Sequence, residues 1–134
     1  MRIADIKVGD TATSHNVVTR ATITAFAAVS GDHNPVHVDD AFANATPFKG
    51  VVAHGILSAS FISALLGTQL PGQGAIYLGQ TLRFKAPVRP GDDVRTDVVV
   101  TEVVVDKRKV VLNTRCRVGE LVVLEGEAVL LTAA

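Results

Sequence analysis

Hydrophobic and polar positions change rhythm along this chain. Between 54 and 70 nearly every residue is apolar or small: His54-Gly55-Ile56-Leu57-Ser58-Ala59-Ser60-Phe61-Ile62-Ser63-Ala64-Leu65-Leu66-Gly67-Thr68-Gln69-Leu70. The stretch has helical length and no polar face, which predicts a helix buried on most sides. Its serines are expected to face inward and bond back to main-chain carbonyls. Pro71 and Gly72 stop it. Downstream the rhythm is that of strands. Stretches 75–84, 94–106, 109–118 and 121–132 are rich in β-branched residues, with turns at Pro90-Gly91-Asp92, near Asp106-Lys107-Arg108 and at Gly119-Glu120. Alternation in Leu112-Asn113-Thr114-Arg115-Cys116-Arg117-Val118 predicts one buried and one wet face. The last three strands follow one another closely, as in an antiparallel meander.

Upstream of the helix the pattern is more broken. Residues 5–10 read as a surface lead-in with a turn at Gly9-Asp10, and 11–19, rich in Thr and Val, as a first strand. Thr22 is placed to cap a helix over 23–30, whose apolar side carries Ile23, Phe26, Ala27 and Val29. Asp39 is placed to cap a short helical turn over 40–44 with Phe42 packing inward, and 45–53 is a loop holding Pro47 and Gly50. One long buried helix followed by a run of antiparallel strands is an α+β layout, and a sheet curled around that helix would bury it.

Composition narrows the class. The chain has 134 residues, which suits one domain spanning 1–134, and 48% of them are hydrophobic, enough for a real core. Thirteen basic and thirteen acidic side chains cancel. No basic block stands out, so neither nucleic acid nor an anionic membrane surface is indicated. Cys116 is the single cysteine, so no intramolecular disulfide forms, as suits a cytoplasmic protein. No signal-like N-terminal stretch and no apolar run of membrane-spanning length is seen.

The chemistry concentrates in Ser30-Gly31-Asp32-His33-Asn34-Pro35-Val36-His37-Val38-Asp39, which holds two imidazoles, an amide and two acids. Gly31 and Pro35 prevent a plain helix, and Asn34 before Pro35 is pushed out of the α region. A bent loop results. On these residues alone a simple Asx turn is one reading. A metal pair is another, since His33 and His37 are four apart; but Pro35 lies between them and no cysteine cluster accompanies them, so no metal is expected.

The string from Phe26 through Val29-Ser30-Gly31-Asp32-His33-Asn34-Pro35-Val36-His37 to Ala43 closely resembles the signature of the MaoC-like, (R)-specific enoyl-CoA hydratases, or hydratase 2 family. That signature is an aromatic, a short apolar spacer, a small residue, Gly-Asp-x-Asn-Pro-aliphatic-His, and a small residue six positions on. The stretch from Tyr77 to Asp92 also looks like the family's strand after the central helix. The resemblance implies a hot dog fold, an antiparallel β-sheet wrapped around a long central α-helix. It implies a lyase that adds water reversibly to trans-2-enoyl-CoA, giving (R)-3-hydroxyacyl-CoA. The short members it is similar to supply monomers for polyhydroxyalkanoate synthesis. The coenzyme A thioester is substrate, no cofactor is implied, and related hot dog proteins that dimerise through adjoining sheets make a homodimer the expectation.

Residue by residue, Asp32 and His37 match the catalytic pair and Asn34 its supporting amide, while His33 falls at a variable position. The His54-Gly55 step resembles the oxyanion position, a role carried to the Gly55 amide, and His54 itself reads as structural. Ser58, Ser63 and Leu66, on the central helix, are candidates to meet the acyl chain, and Arg83, Lys85 and Arg89 to meet coenzyme A phosphates. The chemistry of hydration agrees with this assignment. One group must take a proton from water as its oxygen attacks C3, another must give a proton to C2, and donors must hold the charge that builds on the thioester oxygen. A carboxylate and an imidazole held together can do the first two; the sequence leaves open which is base and which is acid. Two rivals differ in class: a hot dog acyl-CoA thioesterase, and a non-catalytic acyl-CoA-binding or scaffold subunit, which should have lost the acid or the imidazole.

Overall fold

The computed structural model describes residues 1–134. After a single 3-10 turn at Ile3–Asp5 the chain runs β1 (Thr11–Val17), α1 (Arg20–Ser30), α2 (Pro35–Val38), α3 (Asp40–Asn44), α4 (Gly55–Thr68), β2 (Ile76–Gln80), β3 (Arg83–Phe84), β4 (Asp93–Val104), β5 (Lys109–Val118) and β6 (Leu121–Leu131). One antiparallel sheet has the order β1-β4-β5-β6-β2, with β3 also on β6. The predicted meander is β4-β5-β6.

Alternation builds the inner face. Val94, Thr96, Val98 and Val100 of β4 and Val110, Leu112, Thr114 and Cys116 of β5 are buried, while Arg95, Asn113 and Arg115 point outward. Register joins the buried sets, with Thr96 opposite Cys116, Val98 opposite Thr114 and Val100 opposite Leu112. Against this face lies α4, which contacts β1, β4, β5 and β6 and buries Leu57, Ser58, Ile62, Leu65 and Leu66. Burying such a side chain contributes about 1.5–3 kcal/mol, so this layer dominates stability.

Four local expectations change. The first helix begins at Arg20 because Thr19, not Thr22, is its cap. Thr22 N–H donates to Thr19 Oγ1 (3.1 Å) and Thr19 N–H to Thr22 Oγ1 (3.2 Å), a capping box with a hydroxyl in the usual place of the carboxyl. In α3 Asp39 does cap Phe42 N–H, but Phe42 stays half exposed and Ala43 is the buried residue, one step of about 100° around the helix. The 75–84 strand breaks at Thr81, where that residue's carbonyl lies so close to Gly126 that a Cβ there would meet it at 1.8 Å. Finally, α4 is covered along one side only. Ile56, Ser60, Ser63, Ala64 and Gly67 are exposed, since a single sheet covers one side of a helix. Of the serines only Ser58 faces the core, and exposed Ser60 bonds back to Leu57 O.

Candidate active site

The 30–39 loop is assembled from short side-chain to main-chain bonds. At the end of α1, Gly31 adopts φ 79° and its N–H reaches Ala27 O, a turn that a side chain would strain. Ser30 Oγ accepts from Asp32 N–H (3.1 Å), Asp32 Oδ1 from Asn34 N–H (3.1 Å) and Asn34 Oδ1 from Val36 N–H (3.2 Å). The last bond caps α2, with Pro35 at its first turn. Asn34 thereby sets the start of the turn that carries His37.

The His37 ring is fixed from outside the loop. Its Nδ1 lies 2.7 Å from Val52 O. A carbonyl only accepts, so Nδ1 carries the proton, and Nε2 of the neutral ring presents a lone pair. That Nε2 stands 4.0 Å from Asp32 Oδ2, too far for a direct hydrogen bond and close enough for one water to touch both. His37 is largely buried, while the Asp32 side chain is half exposed. His54 lies beneath them, 2% exposed, with Nε2 2.9 Å from Asp32 O. Its ring stacks on His37 with centroids 3.8 Å apart and planes 27° from parallel, and Phe26 tilts against it at 4.9 Å.

Beside this group opens a cavity of about 560 Å³. Its polar end holds Asn34, His37, His54, Gly55 and Ser58, and its walls are apolar, among them Val52, Ile56, Phe84 and Val88. Gly55 is the first residue of α4, where N–H groups lack helical partners and partial positive charge gathers. Any Cβ on Gly55 would meet the Phe84 ring at 2.7 Å, so glycine allows this close approach.

The fold thus brings Asn34, His37, Gly55 and Ser58 to one cavity and sets Asp32 just outside its lining, against His37. Ser63 and Leu66 do not join them: Ser63 is on the exposed side of α4 and Leu66 is in the core. Lys85 lines the cavity and pairs with Glu125 at 3.6 Å; Arg89 donates to Phe48 O, and Arg83 lies outside. Sequence reasoning passed over Phe84 and the Val52 carbonyl. Neither carries a local signal, because each matters only through a partner distant in the chain. Asp32, His37 and His54 bring one donor atom each within 4.8 Å of one another, a grouping a cation could use. Each imidazole has one nitrogen on a carbonyl, which leaves one lone pair per neutral ring.

Residues 7–120 match the MaoC like domain family. This chain belongs to the MaoC-like family. It is 50% identical over 130 residues to an (R)-specific enoyl-CoA hydratase of Rhodospirillum rubrum, covering 97% of this chain and 90% of that one. Among solved structures, the (R)-hydratase from Aeromonas caviae involved in PHA biosynthesis superposes with a TM-score of 0.92 at 46% identity, covering 96% of this chain and 98% of that one. The unliganded R-hydratase PhaJ1 from Pseudomonas aeruginosa gives 0.93 at 44% identity, covering 98% and 85%. The MaoC-like sheet and its central helix are therefore the hot dog fold expected of the family.

Proposed function

We propose that this MaoC-like protein is an (R)-specific enoyl-CoA hydratase, adding water reversibly to trans-2-enoyl-CoA to give (R)-3-hydroxyacyl-CoA. The observation that carries the reading is the Asp32–His37 pair, 4.0 Å apart, beside an apolar cavity that His37 lines and that also holds a helix N-terminus. A water between Asp32 Oδ2 and His37 Nε2 gives one O–H to each acceptor and keeps a lone pair for C3 of the substrate. As the O–C3 bond forms, the C2–C3 π pair moves onto the thioester as an enolate. The Gly55 N–H at the start of α4 holds the oxygen on which that charge collects. One member of the pair takes a proton from the water, and the pair passes that proton on to C2 from the same side, so addition is syn. Asn34 supports the pair by capping α2, and Ser58 borders the acyl path.

The chemistry uses no cofactor, and coenzyme A enters as part of the substrate. Lys85, at the cavity, is the cation best placed for its phosphates. A cytoplasmic role in supplying monomers for polyhydroxyalkanoate synthesis is part of the proposal, supported as to the pathway by the Aeromonas hydratase involved in PHA biosynthesis. So is a homodimer: β2 ends the sheet, and its Ile76, Tyr77 and Leu78 are exposed. Incubation with crotonyl-CoA tests the reading. Loss of the enoyl absorbance, with a product oxidised by an (R)-specific and not an (S)-specific 3-hydroxyacyl-CoA dehydrogenase, is expected. Release of free thiol would point instead to a thioesterase, and inertness towards every enoyl chain length to a binding subunit.

A further inference from the structure

His54 is more deeply placed than a histidine that merely fills space. It is 2% exposed, and its Nε2 lies 2.9 Å from the Asp32 carbonyl, so Nε2 carries the proton and Nδ1 the lone pair. No protein group partners the buried Nδ1. An unpaired buried polar atom costs about 1–3 kcal/mol, a cost that Leu or Phe at this position would avoid. What the imidazole offers in return is used entirely by the site. Its N–H holds the main chain of Asp32, and its face supports the ring of His37. It is also the cap residue of α4, so its backbone sets where Gly55 begins the helix.

We propose that His54 is a positioning residue for hydration, locked as the Nε2–H tautomer and joining Asp32, His37 and Gly55 into one unit. This inference rests on the hydratase reading of the site. The Val52 carbonyl fixes only one atom of the His37 ring; the stack on His54 fixes its plane and so aims Nε2 at Asp32. Displacing a reacting group by about 1 Å is enough to cost roughly 10²-fold in rate.

Two variants separate the contributions. His54→Phe keeps the stacking face and removes the donor; His54→Gln keeps an amide donor near the place of Nε2 and removes the ring. Each is expected to lower kcat on crotonyl-CoA by roughly ten- to hundredfold with KM changed less than about threefold, and His54→Ala to fall below both. Nitrogen-15 spectra of the wild-type imidazoles read the tautomers without reference to activity. His54 is expected as Nε2–H and His37 as Nδ1–H, with the His37 signal broadened or shifted in His54→Gln. Wild-type kcat in a folded Phe or Gln variant, or an Nδ1–H tautomer at His54, would overturn the proposal. Should variants not fold, the wild-type tautomer decides. Wild-type protein inert towards enoyl-CoA would instead overturn the hydratase reading, leaving the tautomer result to stand by itself.

Discussion

The β4-β5-β6 meander and the 30–39 loop are each held together by different bonds. In the meander, ladders of main-chain hydrogen bonds carry Val98, Val100, Val110 and Leu112 into a core closed to solvent. In the loop, Ser30, Asp32, Asn34 and Asp39 each spend a side-chain oxygen on a nearby N–H, mostly in view of solvent. Such exposed bonds contribute about 0.5–1.5 kcal/mol each, whereas one buried Leu contributes more than any of them. Stability and chemistry therefore sit on separate segments, and the loop is tied to the stretch just ahead of α4 by Val52 N–H to Val36 O, His37 to Val52 O and His54 to the Asp32 carbonyl.

Substitutions should separate the two regions. The largest effect is expected from Asp32→Asn and from His37→Ala. Each should lower turnover of crotonyl-CoA by roughly 10²-fold or more with the fold intact by circular dichroism, since general acid–base groups contribute about that much. Asparagine still offers Oδ1 to Asn34 N–H, so the loop survives that change. Leu112→Ala is the reverse experiment. Urea unfolding should show a loss of about 2–5 kcal/mol, while kcat per folded molecule stays at the wild-type value. A Leu112 variant that folds fully but turns over slowly would join the regions that the structure keeps apart.

Gly55→Ala probes the seam between them. The added methyl must displace the Phe84 ring from 2.7 Å, and a fall in kcat/KM of about tenfold is expected. Phe84 is half exposed and can swing away, so Phe84→Ala in the same chain should restore part of the loss. Smaller still is Cys116→Ser. Burial raises the thiol pKa, with Asp97 adding to the rise and a hydrogen bond to Thr96 opposing it. The side chain lies under α4 with Sγ 3.6 Å from Ser58 O. Activity should be unchanged and stability lower by about 1 kcal/mol, and the wild-type thiol should react with alkylating reagents only as fast as the core opens.

The smallest effect lies on the outer face of the sheet, at Asp97. Burial works to raise its pKa, but hydrogen bonds from Thr13 and Arg95 and the charges of Arg95 and Arg117 outweigh it, so the net shift is downward. A depressed folded-state pKa adds stability above the unfolded carboxyl pKa, about 3.9, and that stability is lost as pH falls through the lower folded value. Urea midpoints across the acid range should fall for wild-type protein and flatten in Asp97→Asn, with turnover near neutrality untouched.

The same contrast explains what could be read from residues alone. The meander was legible because alternation is a local signal and register follows it: Leu112, Thr114 and Cys116 turn inward as their spacing says. The loop was legible as a family signature, and its bonds run between residues two or three apart. Thr19 gives a weak signal as the first cap because its partner is a hydroxyl, Thr22, rather than a carboxyl. Hydrophobicity points Phe42 inward, but it does not fix rotation in a helix of five residues. Ser63 and Leu66 share α4 with Ser58, yet Ser63 turns to solvent and Leu66, two turns further along the same buried face, lies beyond the cavity. His54 is the sharpest case. Its sequence context gives a histidine before a helix, and its meaning comes from Asp32, 22 residues away.

The central claim is that both protons and the new oxygen are handled from one side of the substrate, by a pair 4.0 Å apart. Hydration of crotonyl-CoA in deuterium oxide tests it most directly, with the relative configuration at C2 and C3 of the product read by proton NMR. A single diastereomer with hydroxyl and deuterium added to the same face is predicted. Anti addition, or a mixture of C2 epimers formed during turnover, would contradict it.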